Sequence, residues 1–383
     1  MKSAHDSLQS PAIDCLPEDW EDLVQQWGYP AYRGRQIFDW IHRRQVFEPE
    51  SMVNLPSKLR AQLRRSELRL PLKVSDMHRS GDDTRKLLVR TDDERVIETV
   101  LIPELKPGAV AAYTKGDRTG EPNARVVTQC ISSQVGCAMG CVFCASGVAG
   151  LKRQLNPPEI VGQVLLGKTR LDEQEYLRNV VLMGMGEPLH NYAAVARTLT
   201  LLFHPKGLAL SKRRVTLSTS GLIPQIDQLA RDFGGQVQLA ISLHAVDDVL
   251  RSDLMPINRK YPLPQLIECL KRYPLPPRRR ITIEYTLIGG VNDELRAADA
   301  MVRLLQGIPI KVNLIPMNPV EGSPLDAPAA TRVHAFQQRL RTHGVSTFVR
   351  RQRGDEVDAA CGQLALRGAK RKVRMRLPQA QKH

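Results

Sequence analysis

The sequence predicts an α/β protein in which a small helical module precedes a parallel sheet built from six strand-then-helix units. Two observations carry this reading. From Arg125 onward, short runs rich in β-branched residues alternate with longer stretches of helical apolar spacing, the pattern of a parallel sheet with crossover helices. Upstream, three stretches carry helical spacing instead.

In order, Pro17 to Trp27, Tyr32 to Arg44 and Leu55 to Arg65 place apolar residues at helical intervals, which gives an N-terminal helical module over residues 1–84. Leu87 to Thr91 and Arg95 to Ile102 alternate around Asp92-Asp93, a hairpin signal. Residues 105–124, rich in Pro, Gly and charge, form a loop, so residues 85–124 link the helical module to the α/β unit. Strands are expected near 126–132, 179–184, 214–219, 237–243, 280–287 and 311–316. Helices are expected near 158–171, 192–203, 222–232, 263–272, 294–306 and 329–343. This unit spans 125–366, and a basic tail occupies 367–383. No internal repeat appears beyond the β/α alternation.

Composition bounds the function. With 383 residues and 42% hydrophobic content the chain can bury a substantial core. It has no apolar run of about 18 residues to span a membrane. The start, Met1-Lys-Ser-Ala-His-Asp, lacks an apolar signal core, so a cytoplasmic location is expected. Seven cysteines, four of them crowded into 130–144, do not read as a secreted disulfide framework. The net charge of +15 is clustered in Lys212-Arg-Arg214, Arg278-Arg-Arg280, Arg350-Arg-Gln-Arg353 and the tail from Arg367 to Arg376. One such run is ordinarily a solvated face; the set points to RNA phosphates.

Cys137-Ala-Met-Gly-Cys141-Val-Phe-Cys144 places three thiols with no fourth beside them. Iron–sulfur clusters normally take four thiolates, so three leave one iron open to a ligand that is not protein. A structural zinc site, which wants a fourth Cys or His, and three unrelated buried cysteines are the alternatives.

The triplet resembles the signature of radical S-adenosylmethionine enzymes. Together with Val126-Val-Thr-Gln-Cys130-Ile-Ser-Ser-Gln-Val-Gly-Cys137, Gly184-Met-Gly-Glu-Pro188, Ser218-Thr-Ser-Gly221 and Arg353-Gly-Asp-Glu-Val-Asp-Ala-Ala-Cys361-Gly, it resembles the RlmN/Cfr family of adenine methyltransferases from about residue 20 to 366. The resemblance implies a partial (β/α)6 barrel, whose active residues sit at the C-terminal ends of the strands. It implies that Cys137, Cys141 and Cys144 hold a 4Fe-4S cluster, and that Gly186, Glu187, Ser218, Ser242, Leu243, His244 and Asn318 contact S-adenosyl-L-methionine. Read alone, a Ser or Asn at a strand end is a helix cap, and His244 a satisfied core histidine.

By the same resemblance Cys361 is methylated by a first S-adenosylmethionine, loses hydrogen to a radical generated from a second, and attacks the adenine ring. Cys130 is the thiol of release, leaving a Cys130–Cys361 disulfide to be reduced, and Glu98 is the proton acceptor. A solvent-facing strand Glu is the plain alternative for Glu98. Cys15 and Cys269 match nothing and read as bystanders. The chain departs from the family in its longer loop from Lys106 to Asn123, in its basic tail, and in Gln129, where an apolar residue is usual.

The resemblance implies as substrate carbon 2 of an adenosine in 23S ribosomal RNA, with an anticodon-loop adenosine of tRNA as a second substrate. The helical N-terminal module, with Tyr32-Arg-Gly-Arg-Gln, resembles the RlmN side of the family, and that resemblance implies carbon 2 over the Cfr-type alternative, carbon 8. A non-catalytic iron–sulfur RNA-binding or electron-carrying protein is the alternative from another class; it would need neither Cys130 nor Cys361. The expected partners are RNA and a small flavodoxin- or ferredoxin-type electron donor, with no membrane, and the expected state is a monomer.

Overall fold

The computed structural model describes residues 13–104, 125–318 and 325–350. Helices α1 (Pro17–Gln26), α2 (Tyr32–Phe38) and α3 (Ser57–Arg65) form the N-terminal module, and a π turn over Asp39–Arg43 continues α2. Trp20, Val24, Ile37, Ile41, Leu59 and Leu63 are fully enclosed.

Next come β1 (Leu72–Arg79), β2 (Arg85–Thr91) and β3 (Val96–Pro103), an antiparallel meander. The turn between β2 and β3 closes on Thr91, whose N–H donates to Arg95 O at 2.8 Å. β3 pairs antiparallel with β4 (Arg125–Cys130), which joins the meander to the main sheet.

After β4 come the short ribbon strands β5 (Gln134–Val135) and β6 (Arg153–Gln154), paired antiparallel, with α4 (Ala145–Ala149) between them. The β/α alternation then runs through α5 (Pro157–Lys168), β7 (Glu175–Leu182), α6 (Tyr192–Phe203), β8 (Val215–Thr219), α7 (Ile223–Phe233) and β9 (Gln238–Ser242). It continues with α8 (Asp248–Leu254), α9 (Leu263–Arg272), β10 (Ile281–Leu287), α10 (Leu295–Leu304), β11 (Ile310–Pro316), α11 (Ala330–Thr342) and β12 (Thr347–Val349).

Among the described residues these strands make one ten-stranded sheet, in the order β1-β2-β3-β4-β7-β8-β9-β10-β11-β12. From β4 to β12 every neighbour is parallel, while β1 and β12 are separate edges, so the barrel is partial. β10 is enclosed along its whole length, and the apolar residues of β8, β9 and β11 are mostly enclosed, as strands covered on both faces require. Helix α5 starts at a capping box: Asn156 Oδ1 accepts from Glu159 N at 2.9 Å, and Glu159 Oε2 accepts from Asn156 N at 2.9 Å. Arg153 bonds both Glu159 and Asp93, pinning the ribbon to α5 and to the β2–β3 turn.

All six expected strands and all six expected helices of this half are present. The sequence reading lacks β1, β5, β6 and β12, and helices α4 and α8. Among the described residues no helix is long and apolar enough to cross a membrane.

Candidate active site

The cysteine loop leaves the C-terminal end of β4 and is closed at its base by the β5–β6 ribbon. Cys144 N donates to Cys141 O, and Val142 N donates to Leu254 O at 3.1 Å, which ties the loop to the end of α8. Gly147 packs onto the Cys141 backbone so closely that an added Cβ would lie 2.8 Å from Cys141 O, so any side chain there displaces the thiol's own peptide. Phe143, the aromatic before the last cysteine, stacks edge-on against His244 with centroids 4.6 Å apart. The loop is thereby anchored to the end of β9.

Cys137, Cys141 and Cys144 border one cavity of about 160 Å³ at the C-terminal ends of β7 to β11. Burial pushes the Cys137 thiol up to about 12 and holds the Cys141 thiol well above its ordinary range; neighbouring sulfurs add to both. These sulfurs become thiolates only when a cation compensates them. A cluster, in which each thiolate binds its own iron, fits this set.

The same cavity is bordered by Gly184, Gly186, Glu187, Ser218, Ser242, His244 and Asn318. Gly186 has φ +107°, and a Cβ there would lie 2.6 Å from Gln134 Cβ, so only glycine lets the turn after β7 approach the cysteine loop. Glu187 is buried; its Oε2 accepts from Ser220 N at 2.8 Å and Ser220 Oγ at 2.9 Å, and its Oε1 accepts from Leu189 N at 3.1 Å. The carboxylate thus couples the β7 and β8 turns at the cavity's edge. Burial raises its pKa, opposed mainly by the bonds from Ser220 and Thr219.

His244 has φ +56°, and its Nδ1 accepts from Thr286 N at 2.9 Å, so the ring proton sits on Nε2. Burial, reinforced by Arg251, lowers its pKa to about 3, and the ring is neutral at physiological pH. Leu243 is different: its side chain lies in the core and does not border the cavity. Only its backbone is near the site, where Leu243 O accepts from Arg251 Nε at 3.0 Å.

Two residues here are absent from the sequence reading. Arg251 on α8 is fully enclosed and also donates to Asn258 Oδ1 at 2.7 Å, Ser220 O at 2.8 Å and Ser242 O at 3.1 Å. Its guanidinium draws the β8 and β9 turns together beside Cys141. Glu284 stands in register between Ser242 and Asn313, making a polar row across β9, β10 and β11 within the sheet. Its Oε1 accepts from Asn313 Nδ2 at 3.0 Å, its Oε2 is buried with no hydrogen-bond partner among the described residues, and burial raises its pKa. A Glu inside the apolar run Ile281-Thr-Ile-Glu-Tyr-Thr-Leu287 is the signal that could have found it.

Glu98 and Cys130 lie on adjacent strands to one side of this cavity and do not border it. Val100 pairs with Cys130, and Glu98, two residues earlier, shares its pleat face. Glu98 is 5% exposed rather than solvent-facing, with Lys86 Nζ 3.5 Å from its Oε1. Thr99 Oγ1 donates to Cys130 O and Ser132 Oγ donates to Glu98 O, fixing the two strands' relative height. Gln129 is enclosed and donates to Gln163 O at 2.6 Å and Thr99 Oγ1 at 3.1 Å, a buried bridge from β4 to α5 and β3. Cys361, the long loop from Lys106 to Asn123 and the basic tail lie outside the described residues.

Residues 131–301 match the Radical SAM superfamily, and residues 13–67 match the Ribosomal RNA large subunit methyltransferase N-terminal domain. The chain is 56% identical to a dual-specificity RNA methyltransferase RlmN of Sorangium cellulosum, over 94% of this chain and 97% of the relative. It is 44% identical to the RlmN of Syntrophobacter fumaroxidans, over 91% of this chain and 96% of that one. A crystal structure of a radical SAM methyltransferase from Sphaerobacter thermophilus is similar with a TM-score of 0.83 and 42% identity, covering 94% of this chain and 99% of that one. The cavity has the three thiols and the acceptor set that a 4Fe-4S cluster and S-adenosylmethionine need, and the chain belongs to the RlmN family of radical SAM methyltransferases.

Proposed function

We propose that this chain methylates carbon 2 of an adenosine in 23S ribosomal RNA, and of an anticodon-loop adenosine in tRNA, through a methyl-cysteine intermediate. The observation that carries the reading is the meeting of the Cys137, Cys141 and Cys144 loop with Gly186, Glu187, Ser218, Ser242, His244 and Asn318 around one cavity, in a chain 56% identical to an RlmN. When bound, the cluster and S-adenosylmethionine supply a carbon-centred radical, which an enclosed barrel interior shields from water. Glu187 would receive the ammonium of the methionine end as a charged acceptor. Ser218, Ser242, His244 and Asn318 would orient the nucleoside end, with Leu243 contributing backbone only.

Cys361 would carry the methyl group and form the bond to the adenine ring, Glu98 would accept the ring proton, and Cys130 would displace Cys361 as a disulfide forms. The common pleat face of Glu98 and Cys130 supports their joint action. The module over residues 1–84 would engage RNA, with 85–124 as connector, 125–366 as the catalytic unit and 367–383 as a basic tail. A flavodoxin- or ferredoxin-type protein would supply electrons, and the enzyme would act as a monomer in the cytoplasm.

Nucleoside mass spectrometry of rRNA and tRNA from a deletion strain tests this. The reading expects 2-methyladenosine to vanish and to return with the gene. Loss of 8-methyladenosine instead would favour the Cfr-type reaction, and no change in either would contradict methylation.

A further inference from the structure

The fold brings two basic runs 66 residues apart in sequence to a single groove, far from the catalytic cavity. Lys212-Arg-Arg214 forms the turn entering β8, and Arg278-Arg-Arg280 leads into β10. Between them lies a groove of about 730 Å³ whose lining includes Lys212, Arg213, Gln236 and Arg279 and no Asp or Glu. Lys212, Arg278 and Arg279 form no ion pair among the described residues, so their charge is available to a ligand. Lys212 and Arg279 on a concave surface lined by no acid, with Arg278 beside them, suit phosphates.

The groove is built rather than incidental. Gln238 Nε2 donates to Arg213 O at 3.0 Å, holding the first basic turn on β9. The α7–β9 turn packs so tightly on the opposite wall that a Cβ on Gly235 would lie 1.9 Å from Pro274 O. The wall itself is Pro274-Leu-Pro-Pro277, closed by Arg279 N donating to Pro276 O at 3.0 Å, and Arg278 beyond it is held at φ +64°. Proline-fixed backbone presents these cations with little ordering left to lose on binding.

These residues precede β8, β9 and β10, whereas the catalytic cavity lies past the other ends of the same strands. Strands of five to seven residues separate the two by about 16–23 Å. An electron donor seated in the groove would therefore be remote from the cysteine loop, while an extended RNA reaches both ends.

We propose that this groove is a second RNA-binding site, taking the phosphodiester backbone of a segment remote from the target nucleotide. The proposal rests on the RNA methyltransferase reading and adds a footprint beyond the target nucleotide. The test is the triple variant Lys212→Gln, Arg278→Gln, Arg279→Gln in the full-length, cluster-loaded protein. Binding is measured across a salt series to two probes: a hairpin of about 20 nucleotides with the target adenosine, and an rRNA fragment several-fold longer with the same adenosine. The long probe is expected to bind at least tenfold more weakly, with the slope of log affinity against log salt shallower by about 2–3, since each lost phosphate contact removes about 0.7–0.9. Hairpin affinity and dithionite-driven cleavage of S-adenosylmethionine are expected to be unchanged.

Unchanged long-probe affinity and slope would overturn the proposal, as would equal weakening on both probes. Slower reduction by a flavodoxin-type donor with normal RNA binding would overturn it too, and would assign the groove to an acidic protein. Loss of all RNA binding with S-adenosylmethionine cleavage intact in the unsubstituted enzyme would count against the RNA reading itself, so the two failures are distinguishable.

Discussion

Replacing Arg251 by methionine keeps an unbranched, somewhat shorter side chain and removes every donor. Four acceptors then lose their partner: Leu243 O, Asn258 Oδ1, Ser220 O and Ser242 O. Hydrogen bonds from a charged donor are each worth about 1.5–3 kcal/mol net, so simple addition gives about 6–12 kcal/mol. Against this stands the cost of enclosing the charge: burial brings the guanidinium down from 12.5 to about 10, equivalent to about 3 kcal/mol that the variant recovers. Bonds sharing one side chain are not additive, and loss of one buried charged partner typically costs about 3–5 kcal/mol. We expect a loss of about 4 kcal/mol in urea unfolding of anaerobically purified protein with an unchanged m-value. The β8 and β9 turns should loosen together, so S-adenosylmethionine affinity should fall in the same variant. Arg251→Lys should fall between, since lysine keeps the charge without the planar fork. A loss below about 1 kcal/mol in Arg251→Met would refute the argument that this guanidinium holds the turns.

Acid sensitivity follows from two enclosed histidines. Burial lowers His42 to about 4 and His244 to about 3, against 6.5 in an unfolded chain. The unfolded state takes up protons first, so their contribution is whole above pH 6.5 and lost as pH falls, about 2 kcal/mol each by pH 5. His42→Gln should flatten the stability loss between pH 7 and 5 by about that amount; parallel curves for variant and wild type would contradict it. Glu284→Leu should weaken S-adenosylmethionine binding about tenfold by equilibrium dialysis, as expected from losing one acceptor worth about 1.5 kcal/mol, with iron content unchanged. Equal affinity would remove Glu284 from the site. Cys141→Ala should reduce bound iron from about four per chain to below one after anaerobic reconstitution, and full retention would overturn the ligand assignment.

Elements with strong periodicity were legible from residue types alone. The expected spans of α6 and α9 coincide with the observed ones, because each has a continuous apolar stripe and a residue that ends it, His204 and Tyr273. β1 was not legible: its residues alternate weakly, since one face looks outward and the strand is an edge. The small-residue helix α4 and the charged helix α8 carry too little apolar spacing to register.

The site divides the same way. Thiol and glycine spacing identify the cysteine loop and Gly186 because the chemistry is local. Arg251 reads as an exposed cation in Asp248-Val-Leu-Arg-Ser-Asp-Leu254, and only the packing of α8 on the β8 and β9 turns encloses it. Glu98 is likewise decided by tertiary context, where pairing of β3 with β4 covers a residue that a lone hairpin would expose. Gln129, a departure from the family pattern, is explained by its bridge to Gln163 and Thr99.

The central claim is covalent methyl transfer through Cys361 with release by Cys130, and the Cys130→Ala variant tests it most directly. Cluster loading and S-adenosylmethionine cleavage should persist, while release fails because no thiol remains to displace the linked sulfur. On a denaturing gel with labelled RNA the account predicts a slow-migrating, RNase-sensitive protein–RNA band. Ordinary turnover with no adduct would contradict it and leave Cys130 a packing residue of β4.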